Sequence, residues 1–475
     1  MERLVRLIPL FCAGCAQLFG IEDTTGTGGG ASLELQRASI GTTVVKAPLD
    51  LTDSPVFLVP SSNASGVTPL TGTPTIPGTW AVNLTGTVGA TFTPPDLPKR
   101  QEELALGDRQ SANHIIYEHP NPEPAAAAML MMNVTLPGTY SATQTLQVVA
   151  IGAWTAHTLG GSELPAVNTS TITSTLDYTM FTPMTSSPAA KITKSDQVLV
   201  LRYSGANLTG ELIAPTFDQT TADPITGTMA QLTPTTPFDA KIDLAAASTR
   251  FGMQQPAVTT FGASWRLDAS PGYELGSTVG VPLLGASLAM TDTTFSSMYA
   301  NPFAMLGYKP MLTYSASQAR TAMVGTVSTT FGSTLATVTD PGAGLTLGFG
   351  SGLPTSIALD NNTLSIDGAM VTVDTTRALG VDLVVDHPGD LYTVAVEELT
   401  VAGAAVTEAP VISVAALDTH ITLPPSIFQA GHTYIIVATC ISGGYPNAAA
   451  GDVATFALPI SYGSATSAVF TVASL

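Results

Sequence analysis

Glycine and proline punctuate this chain so often that no long helix fits between them. There are 43 Gly and 34 Pro in 475 residues. In a helix interior each Gly costs about 1 kcal/mol and each Pro about 3 kcal/mol relative to Ala. Between the breaks lie short runs rich in Val, Ile, Thr, Tyr and Phe, at 43–45, 56–59, 79–84, 114–117, 197–203, 381–385, 391–398, 420–423, 434–439 and 469–472. Runs of this length and composition, bounded by turn residues, read as β-strands. The run 197–203, Gln-Val-Leu-Val-Leu-Arg-Tyr, is apolar without alternation at its centre, which predicts burial on both faces. Residues 99–113 break the pattern with Lys99, Arg100, Glu102, Glu103, Asp108 and Arg109, and predict one short helix. The expected fold class is all-β, in tandem antiparallel β-sandwich modules. The length allows about three domains, with boundaries expected at 32–162, 163–332 and 333–475. Pro-Gly-Thr-Trp at 77–80 and Pro-Gly-Thr-Tyr at 137–140 echo each other, but no fixed period follows and no repeat array is implied.

Charge narrows the partners. Only 11% of residues are charged, and the formal net charge is −19. Such a polyanion repels nucleic acid and has no Lys/Arg run to overcome the repulsion. Mean hydropathy is +0.31, which reflects missing charges rather than spans. The apolar run 125–132 falls far short of the roughly 20 residues a spanning helix needs.

The first fifteen residues read Met-Glu-Arg-Leu-Val-Arg-Leu-Ile-Pro-Leu-Phe-Cys-Ala-Gly-Cys. Arg3 and Arg6 give a basic start, 7–14 are apolar, and Ala13-Gly14 places small residues before Cys15. That order is the layout of a secretory signal. With Cys15 after the small pair, the segment resembles the lipobox of bacterial lipoproteins. The resemblance implies cleavage between Gly14 and Cys15, a signal peptide over 1–14, and diacylglycerol on the Cys15 sulfur, with acylation of the new amino terminus. Cys12 stands where the family usually has Leu, and bulky Leu10 and Phe11 exclude Cys12 itself as the lipidated residue. Ala16 and Gln17 follow, resembling lipoproteins sorted to the outer membrane, so the implied location is the cell outer membrane, lipid-anchored. Each buried methylene contributes about 0.8 kcal/mol, so two or three chains on one residue make a lasting anchor. Residues 15–31, ending in Gly-Thr-Gly-Gly-Gly-Ala, read as a flexible tether. With Cys12 removed and Cys15 lipidated, Cys440 has no intramolecular partner, and the domains must stand on their cores.

Near the C-terminus, Phe428, Gly431 and Tyr434 stand where a fibronectin type III domain has the leucine, glycine and tyrosine that open its sixth strand. The resemblance implies a tyrosine corner and a β-sandwich over the last quarter of the chain. It departs at the second strand, where Asp386-His387-Pro388 replaces the family's core Trp. The chain is also similar to myxobacteria-type envelope lipoproteins of no known activity, on Cys15-Ala16-Gln17-Leu18-Phe19-Gly20-Ile21-Glu22-Asp23 and Glu118-His119-Pro120-Asn121-Pro122.

Catalytic signatures are sparse. No Lys follows a Gly, and no His-Glu-x-x-His or Gly-x-Ser-x-Gly occurs. His114, Glu118 and His119 offer imidazole and carboxylate for a metal, or form an edge-strand surface; on a strand His114 and Glu118 share a face while His119 points away. Asp360-Asn361-Asn362 with Asp367 offers oxygens to calcium, or is an Asx-rich turn. Trp154 with His157 offers a sugar platform, or belongs to a core. The loop 442–447, Ser-Gly-Gly-Tyr-Pro-Asn, either holds Tyr445 outward as a binding contact or folds it back. These residues carry no catalytic assignment, and no cofactor is expected. The function they imply is a lipid-anchored, non-catalytic envelope protein that binds, adheres or scaffolds. Its expected partners are the membrane, through Cys15, and an envelope protein or polysaccharide. An exported hydrolase or carbohydrate-active protein, with a site assembled from distant residues, is the alternative. A membrane β-barrel fits the alternation but not the aromatic content of 7%.

Overall fold

We describe a computed structural model. Between residues 31 and 118 it describes the backbone of eight strands. From 129 to 474 it describes backbone and side chains except around 152, 154, 185–191, 193–195, 215–223, 255, 258–260, 271–279, 424–425, 450–455 and 474. The described chain is mostly strand, in several largely antiparallel sheets, with a single α-helix, Leu244–Phe251.

The first sandwich packs a six-stranded sheet on a three-stranded one. Met129–Thr135 shows why. Its residues alternate exposed and buried without a break, so Leu130, Met132 and Val134 face inward. A period of two places every second side chain on one face. Those three meet Val148 of Gln144–Ala150 and Val200 of Val198–Ser204 in one core. The opposite face of the same sheet, with Val149, Leu199, Leu201 and Tyr203, enters a second core with Phe238, Trp265 and Leu267. Val198–Ser204 is therefore buried on both faces, as its unbroken apolar run predicts. This first core runs from Leu130 to Met229. The boundary expected at 162/163 thus divides one core, because Gln144–Ala150 pairs with Val198–Ser204 across it.

Four antiparallel strands follow in space: Val281–Leu288, Thr260–Ser270, Lys309–Val324 and Val327–Thr339. The expected boundary at 332/333 falls inside the last of them. Beyond it, Thr334–Val338 pair with Ile460–Ser464. One sheet thus continues into the C-terminal module through Thr433–Gly443, Leu391–Ala402 and Ala405–Ala416. Beyond them lies Gln101–Ala105, parallel to Ile412–Ala415, and the sheet runs on through Thr87–Phe92, Val56–Pro60 and Thr68–Pro69. Here the predicted short helix over 99–113 gives way to strand: Gln-Glu-Glu-Leu-Ala favours helix locally, but pairing with a strand on each side, Ala405–Ala416 and Thr87–Phe92, satisfies its backbone instead.

In the C-terminal module, Pro354–Leu359, Leu379–Val385 and His420–Leu423 form one sheet. Facing it are Ala405–Ala416, Leu391–Ala402, Thr433–Gly443 and Phe470–Ser474, with Ala369–Val373 parallel to Phe470–Ser474. Ile357, Val381 and Ile421 from one sheet meet Val394, Ile436 and Phe470 from the other. Tyr434, 1% exposed, opens the strand Thr433–Gly443 and accepts a hydrogen bond from the Gln429 N–H at 2.9 Å. Its ring meets Phe428 edge-on at 5.1 Å. Gly431, at φ +84°, turns the chain between them. Tyr434→Phe leaves the Gln429 N–H without its acceptor, and a loss of about 1–2 kcal/mol in denaturant unfolding is expected. An unchanged midpoint would show the corner to be ornamental.

Candidate functional site

Two concave sites stand out among the described residues. The first forms where the helix Leu244–Phe251 meets the C-terminal module. Asp243 caps that helix by accepting from the Ala246 N–H at 3.1 Å, and Asp292 accepts from the Leu244 and Ala245 N–H groups. The helix buries Leu244, Ala247 and Phe251 and thereby aims Arg250 at Asp386. Arg250 Nε reaches Asp386 Oδ2 at 2.6 Å and Nη2 reaches Oδ1 at 2.9 Å. Nη1 donates to the Phe349 carbonyl at 2.8 Å, and Nη2 also donates to the Ser351 carbonyl. Oδ1 further accepts from the Leu353 N–H at 2.7 Å, and His387 Nδ1 lies 3.2 Å away. Burial works to raise the Asp386 carboxyl, but the bonds from Arg250, Leu353 and His387 outweigh it and hold its pKa below the ordinary value. Around this pair is a cavity of about 270 Å³, lined by Asp243, Ala246, Arg250, Phe349 and exposed His387. Every nitrogen of the guanidinium is engaged, so the arrangement binds two parts of the chain together.

Behind it sits Cys440, buried and unbridged. Burial, chiefly, pushes its thiol up to about 12, so it stays protonated and inert. The close approach needs glycine: a Cβ at Gly389 would stand 2.5 Å from the Cys440 sulfur.

The second site is an apolar groove of about 340 Å³ between Tyr203, Trp265, Pro282, Leu284 and Gly285, edged by Ser264 and Arg266. Trp265 is only 8% exposed, and its ring stacks on Phe295 at 4.7 Å and 6°. Arg266 Nε bonds Asp268 Oδ2 at 2.7 Å. Asp268 is fully buried, and burial raises its pKa against the opposing pull of Arg266. Tyr203 donates to the Pro282 carbonyl at 3.0 Å and fixes the groove wall.

The residues singled out by sequence fare differently. Gly14, Cys15 and Trp154 lie outside the described residues. His114 and Glu118 both lie on Ser111–Glu118, which runs parallel to Ala31–Ile40, opposite Leu35 and Ser39; their side chains lie outside the described ones. Tyr445 needs correction as an outward contact. It is 2% exposed and meets Phe456 edge-on at 5.9 Å. Gly443 and Gly444, at φ +67° and +77°, turn the loop back over Pro459 and Ile460 rather than outward. The suggested calcium oxygens are taken by arginines: Asp360 pairs with Arg377, and Asp367 holds Arg320 bidentately at 2.6 and 2.7 Å. His157 is buried, bonds Glu163 at 2.8 Å and stacks on Phe181 at 5.1 Å. Among the described residues no group of three or more His, Cys, Asp or Glu is placed to hold a metal ion. No helix there is long and apolar enough to cross a membrane. Sequence reasoning missed Arg250 and Trp265. The only signal for the first was Asp243 before an apolar run that ends at Gly252, a capped helix in miniature.

No protein-family model matches the chain, and a search of curated proteins finds no match.

Proposed function

We propose that this chain is a lipid-anchored, non-catalytic envelope protein of the outer membrane, whose folded part binds or scaffolds. The observation that carries the reading is Ala13-Gly14-Cys15 behind a basic and apolar start, followed by a Gly/Thr tether. The C-terminal module is read as fibronectin type III-like. Its two facing sheets and the Tyr434–Gln429 bond support that reading. The apolar groove at Trp265 is the surface we assign to an envelope protein or polysaccharide partner, because apolar walls with few polar groups bind by burial. Cys15→Ala is expected to abolish metabolic acyl labelling and move the protein from the membrane to the soluble fraction. Continued membrane association of the variant would remove the anchor from the reading.

A further inference from the structure

Among the described residues, Arg202 is a buried cation without a counter-ion. It sits on Val198–Ser204 with 4% of its surface exposed. Its neighbours across the sheet are Leu146 on one side and Gly210 on the other. Gly210 has no side chain, and the next strand, Ala230–Gln231, places Gln231 beyond it. Arg202 Nη2 donates to Gln231 Oε1 at 2.9 Å. Its Nε and Nη1 are buried and have no hydrogen-bond partner among the described residues.

A guanidinium carries five N–H donors and is never deprotonated in proteins. No carboxylate among the described residues bonds this one. Glu211, the acid on the adjoining strand, pairs with Leu201, so the pleat turns it to the opposite face of the sheet. Burial depresses the Arg202 pKa and no neighbouring charge acts in the other direction. An unpaired buried charge is costly, and replacing a buried ionic group by an apolar one of similar volume is often stabilising. A charge kept in this position therefore asks for a negative partner.

We infer that Arg202 is the base of an anion site that takes a small monovalent carboxylate, entering past Gln231. The carboxylate is planar, matches either edge of the guanidinium fork, and brings one negative charge to one positive charge. Gln231 is the natural gate. It is exposed, lies on a two-residue edge strand, and its amide oxygen occupies the acceptor position a carboxylate oxygen would take. Its Nε2 donates to the Thr209 and Leu232 carbonyls at 2.8 and 3.3 Å, two surface bonds that swinging the amide aside exchanges for bonds to water.

The test is thermal unfolding of the full chain, titrated with sodium acetate against sodium chloride at equal ionic strength and neutral pH. The midpoint should rise by a few degrees as acetate saturates, because a ligand that binds only the native state stabilises it by mass action. Arg202→Met should abolish that rise and, in chloride, melt no lower than the parent. Gln231→Ala, a surface change that removes the competing acceptor, should tighten the apparent acetate dissociation constant about tenfold, the worth of one charge-assisted hydrogen bond. The inference is overturned by equal acetate responses in parent and R202M, by no response in the parent, or by unchanged affinity in Gln231→Ala. If R202M does not fold, the parent and Gln231→Ala titrations decide alone.

Discussion

Asp386→Ala is expected to destabilise the protein by about 3–5 kcal/mol, the cost of leaving a buried charge without its partner. The side chains of Arg250 and Asp386 are 11% and 6% exposed, so water does little to screen the pair. The same substitution frees the Leu353 N–H and unlocks the helix Leu244–Phe251 from the C-terminal module. A fall of roughly 10 °C in the thermal midpoint follows. The double variant Arg250→Met, Asp386→Leu should recover much of the loss, because it removes both charges. A single variant that melts like the parent would mean that the clamp holds nothing. The pH dependence has a definite sign. The folded-state pKa of Asp386 lies below its ordinary value of 3.8, so the unfolded chain binds the proton more readily. The stabilisation is fully present above that value. It is lost as pH falls from 3.8 through the folded-state pKa, and Asp386→Ala should show a correspondingly flatter acid limb.

Tyr445→Ala should cost about 3–5 kcal/mol, as large-to-small changes of buried aromatics do. The ring is fully enclosed, and its edge-on contact with Phe456 is the packing that holds the loop 442–447 against Ile460. Removing it leaves a cavity the size of the ring beneath two glycines that cannot fill it. The midpoint in chemical denaturation reports the loss. A variant with parental stability would return Tyr445 to the surface.

Much of the fold was legible because its determinants are local. The runs at 391–398, 420–423 and 434–439 became strands where β-branched residues alternate between Gly, Pro and Asp turns. The helix expected at 99–113 failed for a non-local reason: Gln101–Ala105 pairs with Ile412–Ala415, some three hundred residues away along the chain. The same blindness hid the junction. Asp386-His387-Pro388 stood out only as a departure from a core Trp, because its partner Arg250 lies 136 residues earlier. No spacing rule joins two such residues. For Tyr445 the sequence left both directions open, for a subtler reason. Gly443 and Gly444 announced a sharp turn, but a turn's direction depends on what lies beneath it, here Pro459 and Ile460.

The ladder from Thr334–Val338 to Ile460–Ser464 has a further consequence. A string of domains joined by linkers bends at each joint and is cut there first by proteases. Here the crossing is itself a row of paired strands, and Phe331, Leu399, Ile435 and Val469 from both parts share one buried cluster beside it. Backbone groups that are already paired offer a protease no extended segment to bind, and a stiff sheet leaves no joint to swivel. Melting the C-terminal module strips the edge from Val327–Thr339 and exposes Ala322, Val324 and Phe331 together, so neither part can open alone. Residues 260–474 should therefore share one unfolding transition, and a load pulled from one end would be felt across the whole ladder at once.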